Sequence, residues 1–356
     1  MTTFTQQIPG AIRGRGARTN ATGRFESQVR EAFDDGWTPD DVEPVQLTTT
    51  VSPEKAKVII THNDSPDVGF SASINPYRGC EHGCIYCYAR PAHAYMGLSP
   101  GLDFESKLFF KPEAARLLER ELSKRSYLPE VIHIGGNTDP YQPQERRLRI
   151  TRQVIEVLSR FNHPFTVISK SALILRDLDL LRQAASVTRV GLSMSIGFVD
   201  ESLWRSVEPG TPSPRRRLDA VRALTDAGFP VSVLMAPILP GLTDDDASID
   251  ATVAAIAASG AVSATPLPLH LRPGAREWYL TWLGRTRPDL VPRYRELFRG
   301  GAYSPAAYQR EVTGRVREAA RRHGIGAAER AEARRVGPPD ASPDPPPPPP
   351  EQLTLL

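Results

Sequence analysis

Three cysteines, Cys80, Cys84 and Cys87, stand within eight positions of one another, and no other cysteine occurs in the 356 residues. They lie in Asn75-Pro-Tyr-Arg-Gly-Cys80-Glu-His-Gly-Cys84-Ile-Tyr-Cys87-Tyr88, a Cys-x3-Cys-x2-Cys arrangement. An odd, clustered set of thiols does not suit a disulfide framework. The opening residues, MTTFTQQIPG, show neither a charged n-region nor an apolar h-region, so no secretory signal is expected and the location read is cytoplasmic. Three accounts of the trio compete. The thiols could be ordinary buried residues. They could hold a structural zinc, which needs four donors and would draw the fourth from His82 or His93. Or they could hold an iron–sulfur cluster through three thiolates, leaving one iron open to a substrate or cofactor. Gly79 and Gly83 give the loop freedom to wrap around an ion or cluster.

No apolar run approaches the ~18 residues of a membrane span, so no membrane partner is expected. Lys plus Arg number 44 against 41 Asp plus Glu, a net charge of +3, which excludes a histone-like polycation but not a local basic patch. Hydrophobic residues make up 40% of the chain, enough for a sizeable core.

Six β-rich runs can be read, at 69–74, 131–135, 165–169, 189–195, 230–237 and 261–267. Helical patterns fall between most of them, at 112–125, 149–161, 176–185, 214–227 and 245–259. Ser213 is a candidate N-cap, and Gly228 and Gly260 are stop signals. This alternation predicts an α/β fold with a parallel sheet, read as a partial TIM-type (β/α)6 barrel with a doubly wound open sheet as the alternative. The expected divisions are an N-terminal arm or cap over 1–66, the barrel over 67–273, a C-terminal helical extension over 274–326 and a disordered proline-rich tail over 327–356. In such barrels the chemistry sits at the C-terminal strand ends, and the cysteine loop follows the first run. The other ends are polar: Gly135-Gly136-Asn137-Thr138-Asp139, Ser169-Lys170-Ser171 and Ser193-Met194-Ser195, with Ala236-Pro237-Ile238 after the fifth. Taken singly, each reads equally well as a turn or a cap.

Cys80-x3-Cys84-x-Tyr86-Cys87, with an aromatic before the last cysteine, resembles the signature of the radical SAM superfamily. The resemblance implies a 4Fe–4S cluster on Cys80, Cys84 and Cys87, with S-adenosylmethionine (SAM) chelating the open iron. It implies one-electron cleavage of SAM to methionine and a 5′-deoxyadenosyl radical that takes a hydrogen atom from the substrate. It also implies an electron donor such as flavodoxin or ferredoxin. By the same resemblance, Gly135 and Gly136 are the glycine pair that meets the SAM amino group. Asn137 stands where the family usually has an acidic residue, with Thr138 beside it as another acceptor. Ser169, Lys170, Ser193 and Ser195 would reach the ribose or carboxylate, Lys170 as a point charge. Ile238 and Tyr86 would flank the adenine, although Tyr86 also reads as plain core packing.

Arg13-Gly-Arg-Gly-Ala-Arg18, Asn75-Pro-Tyr-Arg-Gly-Cys80 and Gly136-Asn-Thr-Asp-Pro-Tyr-Gln-Pro143 resemble a branch related to spore photoproduct lyase. That implies a nucleic-acid substrate and repair of a DNA lesion. Such lyases use a further cysteine as hydrogen donor. None is present here, so Tyr88 or Tyr141 would serve, or the reaction differs. No auxiliary cysteine-ligated cluster can be built. The alternatives are radical modification of RNA or protein and, in another class, a zinc-stabilised nucleic-acid-binding module without catalysis.

Basic residues offer a polyanion contact: Arg13, Arg15, Arg18 and Arg24, then Arg215 to Arg217, then Arg272 to Arg299 interleaved with Trp278, Tyr279, Trp282 and Tyr294. Guanidinium groups among aromatics suit phosphates and stacked bases, and equally a solvated helical face over packed rings. The chain ends in Gln352-Leu353-Thr354-Leu355-Leu356 after six prolines. This resembles the pentapeptide by which bacterial repair and replication proteins bind the DNA sliding clamp.

Overall fold

The structure, a computed structural model, describes residues 15–17, 20, 48–63 and 69–326. The proline-rich tail, the Gln352–Leu356 peptide and Arg13, Arg18 and Arg24 lie outside the described residues.

Among the described residues ten strands are formed: β1 (Thr50–Pro53), β2 (Ile60–His62), β3 (Ala72–Ile74), β4 (Tyr77–Arg78), β5 (Lys107–Phe110), β6 (Ile132–Ile134), β7 (Phe165–Ser169), β8 (Val190–Ser195), β9 (Val231–Ile238) and β10 (Ser263–Pro268). The main sheet runs in the order β10-β9-β8-β7-β6-β3-β2. From β3 to β10 its pairs are all parallel, and β2 joins β3 antiparallel. The six parallel strands therefore stand side by side in chain order, without the reversal that defines a doubly wound sheet. The result is a partial barrel wall that does not close. β1, β5 and β4 make a separate three-stranded sheet beside the cysteine loop.

The helices are α1 (Leu102–Ser106), α2 (Ala114–Leu122), α3 (Glu145–Leu148), α4 (Ile150–Arg160), α5 (Leu178–Ala185), α6 (Glu201–Val207), α7 (Pro214–Asp226), α8 (Asp246–Ala258), α9 (Arg276–Thr286), α10 (Val291–Leu297) and α11 (Ala306–Arg322). Local chemistry sets several of their starts. Asp200 caps α6, Ser213 caps α7 ahead of Pro214, and Asp245 caps α8, each accepting backbone N–H bonds from the first turn.

Side chains on the strands alternate between two environments, as the period of two requires. Ile132, Ile134, Phe165, Val167, Val190, Leu192, Met194, Val231 and Val233 are fully buried against helix residues such as Leu118, Val154, Leu181 and Val221. Full burial of one such side chain is worth about 1.5–3 kcal/mol. The intervening positions, Ser73, His133, Thr166, Ser193, Ser195 and Ser232, face the lumen of the wall and are small or polar. The C-terminal extension is integral to the domain. Val312 and Val316 of α11 join the main core, and Tyr279, Leu283 and Tyr294 of α9 and α10 form a second core with Cys84, Ile85 and Tyr86.

Candidate functional site at the strand ends

The cysteine loop leaves β3 and is held by backbone bonds on both sides. Cys80 N–H donates to Phe104 O at 3.0 Å, and Ile85 N–H donates to Val207 O at 3.1 Å. Gly79 has φ +75°, and a Cβ there would lie 2.8 Å from Phe104 O, so the approach of α1 requires glycine. Cys80 and Cys84 are buried and Cys87 is half-buried. Burial pushes all three thiols up, and Cys80 also feels Asp139 and the other two cysteines. Three thiols on one short loop, two of them buried, fit a cluster bound by three thiolates.

Each histidine proposed as a fourth zinc ligand uses one ring nitrogen in a contact within the protein, and His93 Nδ1 is buried without a partner. His82 Nδ1 lies 3.4 Å from Asp139 Oδ2, and His93 Nε2 pairs with Lys107 O at 2.9 Å. Among the described residues, no three His, Cys, Asp or Glu side chains gather closely enough to hold a single ion. A cluster that takes its thiolates at separate corners suits this donor set better than one zinc.

Lys170 marks the end of β7. Its ammonium donates to Ser195 Oγ at 2.8 Å, to Glu208 Oε1 at 3.1 Å and to Ala236 O at 3.3 Å, and lies 5.6 Å from the centre of the Tyr86 ring. Glu208 is fully buried and also accepts from the Tyr86 hydroxyl and the Arg217 guanidinium. Burial alone would push its carboxyl up, but Arg217 and Lys170 more than offset this and hold it at about 2. Glu208 and Arg217 were not singled out as site residues from the sequence. Arg217 is not a phosphate contact: it is 1% exposed and donates to Ser195 O as well as to Glu208.

The glycine pair ends β6. Gly135 has φ +98°, and a Cβ there would lie 2.6 Å from Ile168 O. Asn137 N–H donates to Asn75 Oδ1 at 2.8 Å, and the Thr138 hydroxyl donates to Tyr77 O at 3.0 Å. Asp139 organises this corner. It accepts from Ser169 Oγ at 2.7 Å, Lys170 N–H at 2.7 Å and Tyr141 N–H at 2.8 Å. Ser169 is thus engaged by Asp139, and its oxygen also accepts from Ser171 N–H. Ser193 stands on the lumen face, whereas Ile238 is fully buried in the main core and its carbonyl accepts from Leu269 N–H. The structure therefore gathers Lys170, Ser195 and Tyr86 into one network and leaves Ile238 outside it.

Tyr88 and Tyr141, the two tyrosines read as hydrogen donors, part company. Tyr141 is fully buried, its hydroxyl lodged near Asp177. Tyr88 is 40% exposed, follows Cys87 and donates to Gly136 O. Its ring lies 5.7 Å from that of His270, which in turn stacks at 5.7 Å and 27° on Tyr303, itself 42% exposed. Arg272 Nη2 lies 3.5 Å from the Tyr303 hydroxyl. His270 follows the end of β10, so this ring series lines the same mouth as Lys170. Tyr279 and Tyr294 do not belong to a stacking surface: they are fully buried and hydrogen-bonded to each other at 2.8 Å, and Trp282 beside them donates to Ser206 Oγ.

Comparison with known proteins adds three findings. Residues 74–251 match the family model described as the radical SAM superfamily. An uncharacterized protein of Mycobacterium tuberculosis is 41% identical over 247 residues, 69% of this chain and 73% of that one. Another from Methanocaldococcus jannaschii is 30% identical over 190 residues, 53% of this chain and 68% of that one. Among solved structures, spore photoproduct lyase with bound AdoMet and dinucleoside spore photoproduct aligns with a TM-score of 0.57 at 15% identity, over 77% of this chain and 79% of that chain. At that identity the likeness speaks for the fold.

Proposed function

The chain belongs to the radical SAM superfamily, whose enzymes use a 4Fe–4S cluster and SAM, and from that premise we propose that its substrate is nucleic acid, engaged as a planar base at the strand-end mouth. When bound, the reduced cluster supplies the electron that cleaves SAM to methionine and the 5′-deoxyadenosyl radical, which abstracts a hydrogen atom from the substrate.

The chain's own residues divide the remaining work. Cys80, Cys84 and Cys87 hold the cluster. Lys170, aligned by Ser195 and Glu208, meets the SAM carboxylate. The open backbone at Gly135 and Gly136, with Asn137, receives the amino group. Ser169 and Ser193 lie at the ribose side. Tyr86, fixed through its hydroxyl by Glu208, presents its ring to the adenine. The apolar cluster of Phe198, Leu239 and Leu271 beneath Cys84 excludes water from that side.

The observation that carries the substrate class is the ring series Tyr88–His270–Tyr303 with Arg272 at its end. Exposed aromatic faces stack bases, and a guanidinium beside them suits a phosphate. The fold likeness to spore photoproduct lyase supports a damaged base in DNA as the natural form of that substrate. Tyr88, which follows Cys87 in the chain and whose hydroxyl reaches Gly136 O, takes the hydrogen-donor role that a cysteine would otherwise fill, giving its phenolic hydrogen atom to the substrate radical and becoming a phenoxyl radical. Flavodoxin or ferredoxin serves as electron donor, in a cytoplasmic setting that keeps the thiols reduced. The terminal Gln352–Leu356 peptide docks on the sliding clamp. A tail peptide that fails to bind clamp at high micromolar concentration, or a Gln352→Ala, Leu355→Ala peptide that binds equally well, removes that partner.

The test of the reaction is anaerobic. The reduced enzyme is incubated with SAM and deuterium-labelled DNA or RNA, damaged and undamaged. Deuterium arriving in 5′-deoxyadenosine from damaged DNA alone supports the reading, and its loss in Cys84→Ala ties it to the cluster. Transfer from RNA alone, or from no nucleic acid, overturns it in favour of RNA or protein modification.

A further inference from the structure

Arg15, Gly16 and Ala17 belong to the glycine–arginine motif near the N-terminus, and they lie directly on the cysteine loop. We infer that this segment is a clasp that holds the loop in the shape that presents Cys80 and Cys84 to the cluster.

Three connections carry the inference. The first runs through Glu105, which is fully buried. Its carboxylate accepts Gly16 N–H at 3.0 Å, Ala17 N–H at 2.9 Å and the Arg90 guanidinium. Arg90, also fully buried, donates from Nε and Nη2 to Cys84 O at 3.1 and 2.9 Å and from Nη1 to Pro100 O and Gly101 O. A relay of two charged side chains thus joins the clasp backbone to the carbonyl of a cluster ligand. The second runs from Arg15 Nη2 to Thr49 Oγ1 at 2.5 Å, and from that hydroxyl to Glu81 Oε1 at 2.6 Å, next to Cys80. The third is steric. A Cβ on Gly16 would lie 1.9 Å from Gly83 O, between the first two cysteines, so the clasp presses on the loop backbone itself.

The chemistry favours a working contact over incidental packing. A buried carboxylate needs its acceptor sites filled, and Arg90 alone does not fill those of Glu105. The two clasp N–H groups complete the set. Lifting the clasp leaves Glu105 short of donors and frees Arg90 to follow it, which loosens the grip on Cys84 O. The Arg15 guanidinium, committed to Glu105 O and Thr49, is a fastener and not a phosphate contact.

The inference concerns cluster retention and stands apart from the choice of substrate. Gly16→Val, Arg15→Ala and a chain lacking residues 1–24 are reconstituted anaerobically beside the full chain. The measurements are iron and sulfide per chain, the rate at which a ferrous chelator strips iron, the electron paramagnetic resonance of the reduced cluster, and far-ultraviolet circular dichroism. Iron release is expected to be at least about tenfold faster in Gly16→Val and in the shortened chain, as for other outer-shell partners of metal ligands. The resonance should broaden or shift, the circular dichroism per residue of the core should hold, and an added peptide of residues 8–24 should restore slow release to the shortened chain. Release at the full-chain rate in Gly16→Val with an unchanged resonance overturns the clasp. Gly16→Val decides alone if the shortened chain does not fold, and loss of circular dichroism in Gly16→Val without peptide rescue of the shortened chain also counts against the clasp.

Discussion

Glu208 holds the Lys170 ammonium at 3.1 Å from a helix end 38 residues further along the chain. Its other carboxylate oxygen takes Arg217, so two basic side chains share one acid at the floor of the mouth. Two basic groups on one acid leave room for a second carboxylate, which on the proposed reading is that of SAM. Lys170→Met keeps the length of the side chain and removes the charge. It should weaken SAM binding by at least about tenfold, the equivalent of ~1.4 kcal/mol, while iron content stays at the wild-type level. Equilibrium dialysis with labelled SAM checks this, and an unchanged dissociation constant would show that Lys170 serves Glu208 alone.

Glu208 also makes the fold sensitive to acid. Its folded carboxyl sits at about 2, against 4.5 for an ordinary glutamate. Because the folded value is the lower one, the contribution is complete above the unfolded value and disappears as pH falls through the window from about 4.5 to about 2. For a buried group, a depression of this size corresponds to about 3 kcal/mol. Urea unfolding followed by fluorescence should show a steep loss of stability across that window. Glu208→Gln should be less stable at neutral pH, by about 3 kcal/mol or more, and should flatten the acid limb.

Gly135 offers a test of the glycine pair. Alanine there must accept φ +98° and crowd both Ile168 O and Pro140 Cδ. The backbone strain alone is of order 1–3 kcal/mol, enough to shift the turn. Gly135→Ala is expected to load its cluster normally and to lose SAM affinity. Iron analysis and dialysis on the same preparation separate the two, and full SAM affinity would remove this turn from the binding site.

Tyr88→Phe removes only a hydroxyl, and with it the bond to Gly136 O. Reduced enzyme should still convert SAM to 5′-deoxyadenosine, but nucleic-acid product should fall by at least an order of magnitude, because no phenolic hydrogen atom is left at this position for the product radical. Product formation at the wild-type rate would assign the hydrogen donor elsewhere.

Much of the scaffold was legible because its signals are local. All six β-rich runs became parallel strands, and the helices at 150–160, 214–226 and 246–258 fall within a residue or two of their expected ends. Three clustered cysteines likewise need no tertiary information. Glu208 was not legible, since a lone glutamate before Pro209 and Gly210 carries no motif and its partners Tyr86, Lys170 and Arg217 come from three separate segments. The same limit explains Arg217, which reads as surface charge until the buried Glu208 is placed beside it, and Arg15, whose partners are the Glu105 carbonyl and the Thr49 hydroxyl. Tyr279 and Tyr294 misled for a different reason. They sit among exposed arginines along the chain, and only the packing of their two helices on the cysteine loop turns both rings inward.

The alternation along the wall has an evolutionary corollary. Helix-facing and lumen-facing positions draw on different neighbours, so exchanging Ser73, Thr166 or Ser232 alters the lining of the lumen while leaving the packed layer of Ile132, Val167 and Leu192 as it was. A lineage built on this frame can retool what it accepts one residue at a time without renegotiating how it folds.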